Sequence, residues 1–326
     1  MNDIQEQTYR KGEKRLWKYY GTQPREIFLT LERPRVRVRV QEVGQGQPLL
    51  FVHGGPNGGT TWAPLVALMQ DFRCLVLDRP GCGLSEAVDY GASGLRELAC
   101  DILHSLLNAL EIERLPVIAS SMGGLWALWL AQALPQRVSH MVQLGCPALI
   151  DGMKLPAFMR MLSVPRLNRL LTRIMPASID SARDLYRQIG HGASIEARKI
   201  PDIYFDWSYH LTVDTDTMHN DLNLIEKALT WRGTRPELLL DRNQLRRVRQ
   251  PTLYIWGLDD TFGGADLARQ TAEWMPDAQL HLIPEGGHLP WLDATEEVSA
   301  VAREFLRAPQ AAKRESEVKV TLRQGE

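Results

Sequence analysis

Apolar residues along this chain fall into two alternating rhythms. Short runs bounded by Gly, Pro and charged residues read as strands: Phe28 to Leu31, Val36 to Val43, Leu49 to His53, Arg73 to Asp78, Leu115 to Ala119, Val138 to Leu144, Thr252 to Trp256 and Gln279 to Ile283. Between them lie stretches with helical spacing. Leu98, Ile102, Leu106 and Leu110 share one face of a helix over Leu95 to Leu110, and further helices are expected near Trp62 to Gln70, Met122 to Leu134, Asp266 to Met275 and Glu296 to Leu306. Strand and helix in alternation imply an α/β fold: a doubly wound, mostly parallel, eight-stranded sheet covered on both faces. From Pro147 to about Gln250 the strand signals vanish, and proline, methionine and aromatic residues rise.

Composition fits one enzyme-sized unit. With 326 residues, 44% hydrophobic and 24% charged, the chain can bury a large core, as one domain or as a core with an insertion. A net charge of −1 gives no reason to expect a nucleic-acid partner. In Arg35-Val36-Arg37-Val38-Arg39 the arginines alternate with valines, as in a strand with one face in water, and Arg242 to Arg249 reads as a surface coat before a strand. Cys74, Cys82, Cys100 and Cys146 show neither metal-ligand spacing nor a disulfide framework, which fits reduced thiols in a cytoplasm. No metal site or cofactor is implied.

The N-terminal extension, 1–26, has no apolar signal core, and no segment offers the ~18 consecutive apolar residues of a membrane span. Within it, Leu16-Trp17-Lys18-Tyr19-Tyr20 is suited to pack on the core or on another subunit; no motif specifies an oligomeric state. The charged tail, 311–326, lacks apolar periodicity and is expected to be mobile.

The chemistry centres on Ile118-Ala119-Ser120-Ser121-Met122-Gly123-Gly124, where an apolar strand stops and a helix starts. A serine on such a turn is held in a strained conformation that exposes its hydroxyl. The turn needs small residues two before and two after the serine. Ala119 and Gly123 satisfy this for Ser121, whereas centring on Ser120 would place Ile118 and Met122 there. Alone, Ser-Ser-Met-Gly-Gly also reads as a helix start capped by serine. Other segments complete a site: Phe51-Val52-His53-Gly54-Gly55-Pro56, Asp78-Arg79-Pro80-Gly81, Trp256-Gly257-Leu258-Asp259-Asp260 and Gly286-Gly287-His288.

In that order these segments resemble the serine-nucleophile branch of the α/β-hydrolase fold, over roughly residues 27 to 306. The resemblance implies a core of 27–146 and 251–310 with a helical cap inserted at 147–250. It also implies a triad: Ser121 as nucleophile, His288 as base and Asp260 as the acid that orients the imidazole. Asp259 is the immediate rival to Asp260, and Asp151 is the candidate should the acid follow the sixth strand. The oxyanion donors would be the backbone N–H groups of Met122 and Gly55. His53 would brace its loop by hydrogen bonding, and Asp78 to Gly81 would form a structural turn. Gly54, Trp207, Tyr204 and Met159 are candidates for substrate contact, with Met161, Leu162, Phe205 and Tyr209 beside them; His191, His210 and His219 are further cap candidates for the pocket.

A serine nucleophile implies an acyl-enzyme formed from an ester, thioester or amide, rather than the aspartyl chemistry of haloalkane dehalogenases and epoxide hydrolases. The leading expectation is therefore a hydrolase of carboxylic esters acting on a small-molecule acyl substrate. Alternatives of the same fold are carbon–carbon bond hydrolases, which share Ser-Met-Gly-Gly, and prolyl iminopeptidases, which share His-Gly-Gly-Pro. The latter would need cap carboxylates, for which Glu196, Glu226 and Glu237 are available. Cofactor-free haloperoxidase-like perhydrolases use the same triad, and a non-catalytic ligand-binding protein of this fold is the alternative from another class.

Overall fold

Every apolar run named above becomes a strand, and those that pair in parallel are buried on both faces of the sheet over most of their length. The computed structural model describes residues 1–91, 93–165, 167–174, 177–308 and 320–321. The strands are β1 (Arg25–Leu31), β2 (Val36–Val43), β3 (Gln47–Val52), β4 (Phe72–Leu77), β5 (Leu115–Ser120), β6 (Val138–Leu144), β7 (Thr252–Gly257) and β8 (Ala278–Ile283). A two-residue ninth strand, β9 (Val320–Thr321), pairs with β8 at the sheet edge. The rest of the tail, 311–326, lies outside the described residues. The order is β1-β2-β4-β3-β5-β6-β7-β8-β9, with β2 antiparallel to β1 and β4 and all other pairings parallel.

Alternate residues of each strand enter opposite cores. Leu50, Val52, Leu75, Leu77, Val117 and Ala119 join one cluster, with apolar positions of the helices α2 (Leu95–Ala109), α3 (Ser121–Ala133) and α6 (Ala265–Glu273). Leu49, Phe51, Val76, Ile118, Leu253 and Ile255 join the other, which α7 (Thr295–Arg307) covers. The insertion between β6 and β7 is mostly helical and includes α4 (Asp202–Val213) and α5 (Thr217–Ala228). It also holds one hairpin, Leu229–Thr230 with Gly233–Thr234, too short to register as a strand pattern. Among the described residues no helix is long and apolar enough to cross a membrane.

The N-terminal extension carries an element that its polarity conceals. Asn2 caps α1 (Asp3–Tyr19) in a reciprocal box with Gln5, and the helix sinks Tyr9, Leu16 and Trp17 into the second core. Its partner in the sheet is Arg39, where the expectation of a water-facing arginine row fails. Arg35 and Arg37 are exposed, but Arg39 is fully buried beneath α1. Its guanidinium donates to both oxygens of Glu13 at 2.7 and 2.8 Å and to Asp78 at 2.8 Å. Glu13 also accepts from Thr60 at 2.6 Å and from Tyr9 at 3.0 Å. Burial alone would raise the Glu13 carboxyl, but Arg39 outweighs it and holds the group below the usual range.

Candidate active site

Four loops at the C-terminal ends of parallel strands meet over the sheet, the edge where open α/β sheets gather ligands. They follow β3, β5, β7 and β8, and they bring His53-Gly54-Gly55, Ser121, Asp260 and His288 together. A cavity roofed by the insertion lies above them, lined by Gly54, Gly55, Ser121, Met122 and His288.

Ser121 is the first residue of α3 and sits at φ +51°, left-handed backbone that a serine adopts only under constraint. The constraint is close packing. A Cβ on Gly123 would run into the carbonyl oxygens of Val52 and His53, and one on Gly54 would lie 2.7 Å from the Ser121 Cβ. Met122 follows in the first turn of α3, where backbone N–H groups have no partner within the helix.

Asp260 is buried and spends both oxygens on hydrogen bonds. Oδ2 accepts from His288 Nδ1 and from the Cys146 amide, each at 2.9 Å, and Oδ1 accepts from the Phe262 amide at 2.9 Å. The imidazole is thereby fixed with its Nδ1 hydrogen on the carboxylate, and the Phe262 ring packs against it at 4.4 Å. Asp259 and Asp151 are both exposed. His53 braces its loop as expected: its Nε2 accepts from the Arg79 amide at 3.1 Å, so Nδ1 donates to the Gly54 carbonyl at 2.6 Å. Burial, and then the charge of Arg79, hold His53 well below the ordinary histidine range, which suits this neutral form.

Of the expected substrate contacts, Gly54 and Met159 line the cavity; Trp207 and Tyr204 do not. Both are fully buried in the second core, where Tyr204 bonds Thr61 at 2.7 Å and its ring packs on Trp207. Aromatic side chains on α4 are needed to seal that helix onto α1 and the sheet. His191, His210 and His219 are likewise absent from the lining, as are Glu196, Glu226 and Glu237. The insertion carboxylate that does line it is Asp221 of α5, a residue that spacing did not single out. Its carboxylate stands against Gly55, where a Cβ would collide with it, and pairs with buried Arg79 at 3.5 Å. Burial pushes the Asp221 carboxyl up, against the pull of Arg79.

Residues 49–301 match the family model described as "Alpha/beta hydrolase family". This chain belongs to the alpha/beta hydrolase family. It is 28% identical over 281 residues to a 2-hydroxy-6-oxononadienedioate/2-hydroxy-6-oxononatrienedioate hydrolase of Cupriavidus pinatubonensis, spanning 83% of this chain and 90% of that protein. It is 26% identical over 275 residues to a cis-3-alkyl-4-alkyloxetan-2-one decarboxylase of Shewanella oneidensis, spanning 81% and 83%. Among solved structures, carboxylesterase CesB from Bacillus subtilis shares the fold at a TM-score of 0.70 and 13% identity, over 93% of this chain and 99% of that one.

Proposed function

We propose that this alpha/beta hydrolase cleaves a neutral, apolar carboxylic ester through Ser121, His288 and Asp260. The observation that carries the reading is the strained Ser121 facing the same cavity as an imidazole whose Nδ1 is bonded to a buried carboxylate. In this scheme Ser121 Oγ attacks the ester carbonyl as His288 Nε2 takes its proton. Asp260 keeps the hydrogen on Nδ1 and stabilises the imidazolium that forms. The amides of Met122 and Gly55 receive the oxyanion, His288 returns the proton to the departing alcohol, and water then releases the acid by the reverse steps. The insertion acts as a cap that keeps bulk water from the reacting carbonyl. The scheme calls on no cofactor.

The cavity wall supports the choice of substrate. Leu149, Met153, Phe158, Leu224 and Ile225 contribute apolar surface, and among the described lining residues there is no lysine or arginine. An anionic acyl chain would enter without a counter-ion and beside Asp221, a penalty of several kcal/mol. A second reading, carbon–carbon bond cleavage, draws support from the relative named as a dienedioate hydrolase; the same serine and histidine would serve it.

A substrate panel separates the two. A neutral hexanoyl aryl ester should exceed its ω-carboxylate counterpart by roughly 10²-fold in kcat/KM, and a fluorophosphonate should label Ser121 in the wild type but not in Ser121→Ala. Faster turnover of a dienoic diketone than of any ester would establish the second reading instead. The approach of Gly54 to the nucleophile yields a further expectation. Gly54→Ala should displace the serine side chain and slow fluorophosphonate labelling by about 10²-fold, with the fall of a few degrees in melting temperature that overpacking brings; unchanged labelling would show that the loop yields to the added methyl.

A further inference from the structure

The loop that carries His288 is gripped at three consecutive amides. Gly287 N–H donates to Asp293 Oδ2 at 2.9 Å, His288 N–H to the Ile189 carbonyl at 2.9 Å, and Leu289 N–H to His191 Nε2 at 3.1 Å. Two of these acceptors belong to the insertion. His191 closes the set through its other ring nitrogen, which lies 2.9 Å from Asp293 Oδ1. Since Nε2 accepts, Nδ1 carries the hydrogen and donates it, so the imidazole is neutral with both nitrogens engaged. Both side chains are sealed from solvent, at 0% and 2% exposure, which makes an unpaired nitrogen or oxygen there costly.

The surrounding backbone is shaped for this contact. Gly190 is at φ +99°, and a Cβ on it would strike the Asp259 carbonyl and come within 3.0 Å of the Gly287 Cα. A Cβ on Gly287 would lie 2.7 Å from His191 Cε1. Thr261, one residue past Asp260, donates to the Gln188 carbonyl at 3.0 Å. Residues 188–191 are therefore wedged between the loop bearing Asp260 and the loop bearing His288.

We infer that His191 and Asp293 are a positioning pair that fixes the loop of His288, so that the insertion sets the aim of the imidazole as well as roofing the cavity. The inference rests on the proposed role of His288 as the base. Neither side chain lines the cavity, so both act through the backbone of residues 287–289 and not on substrate. Loss of the pair leaves substrate binding intact and lets the imidazole wander, and such misplacement is felt in kcat.

The test uses the full chain, the neutral hexanoyl ester, and the variants His191→Phe, His191→Gln, Asp293→Asn, His210→Ala and Ser121→Ala. Phe keeps a planar aromatic ring, somewhat larger than the imidazole, but removes both hydrogen bonds. Gln offers one acceptor and one donor. The expected result is a fall in kcat of about 10- to 100-fold for His191→Phe with KM within about threefold, and recovery to within about fivefold of wild type for His191→Gln. His210→Ala, altering an insertion histidine outside the cavity, should keep wild-type kcat. Unchanged kcat in folded His191→Phe overturns the inference, as does a Gln variant as slow as the Phe variant. Should His191→Phe fail to fold, Asp293→Asn reads the same pair: a roughly tenfold loss of kcat at constant KM supports it, and wild-type kcat sinks it. Full activity in Ser121→Ala would instead overturn the proposed function itself, whereas an inactive Ser121→Ala beside a fully active His191→Phe would overturn the positioning role alone.

Discussion

Asp260→Asn is expected to fold like the wild type and to slow ester turnover by roughly 10³- to 10⁴-fold, with the loss in kcat. The carboxylate accepts from His288 Nδ1 and from two backbone amides, those of Cys146 and Phe262. An asparagine that keeps the Phe262 amide contact through its carbonyl oxygen turns its NH₂ group toward both the Cys146 amide and the imidazole. That donor favours the tautomer with the hydrogen on Nε2, which cannot take a proton from Ser121. Asp259→Asn changes an exposed side chain next door and should leave kcat within about twofold of wild type. Steady-state kinetics on both variants, with thermal melts to confirm folding, decide the matter; a reversed pattern would move the acid to Asp259.

Glu13→Ala should lower the unfolding free energy by about 3–5 kcal/mol, the usual consequence of removing one partner from a buried ion pair. The variant leaves Arg39, fully buried, with Asp78 and the partly exposed Glu26, strips Tyr9 of its acceptor and leaves Thr60 only Gln41 to donate to. Arg15→Ala, on the same helix but in a solvent-exposed pair with Asp206, should change it by no more than about 1 kcal/mol. Urea titrations measure both. A Glu13→Ala protein as stable as Arg15→Ala would mean that α1 is a loosely laid extension rather than part of the core.

The strands and the turn at Ser121 were legible because their signals are local. A buried parallel strand needs an unbroken apolar run, and the turn needs Ala119 and Gly123 at fixed offsets; each requirement is met within a few residues of chain. Arg39 was misread because alternation with valine describes only its own strand. What covers it is Glu13, Tyr9 and Trp17, whose helical spacing is present in the sequence but is diluted by charged neighbours. Tyr204 and Trp207 show the opposite error. Aromatic residues in an insertion mark burial, and nothing in their spacing says whether they face a cavity or a core. Asp221 was invisible, and His191 was expected in the pocket and not behind it, for a related reason, since each takes its place only through a partner far away in sequence: Arg79 for the first, Asp293 for the second.

The seat of α1 also bears on the order in which the molecule is assembled. The helix leaves the ribosome before α4, yet its contacts include Arg15 with Asp206, 191 residues downstream. Its docking surface is incomplete until α4 has been synthesised, so during translation Trp17 can reach Thr60 while Arg15 still waits for Asp206. Closing so distant a contact comes late in folding, and α1 is among the last elements to find its home.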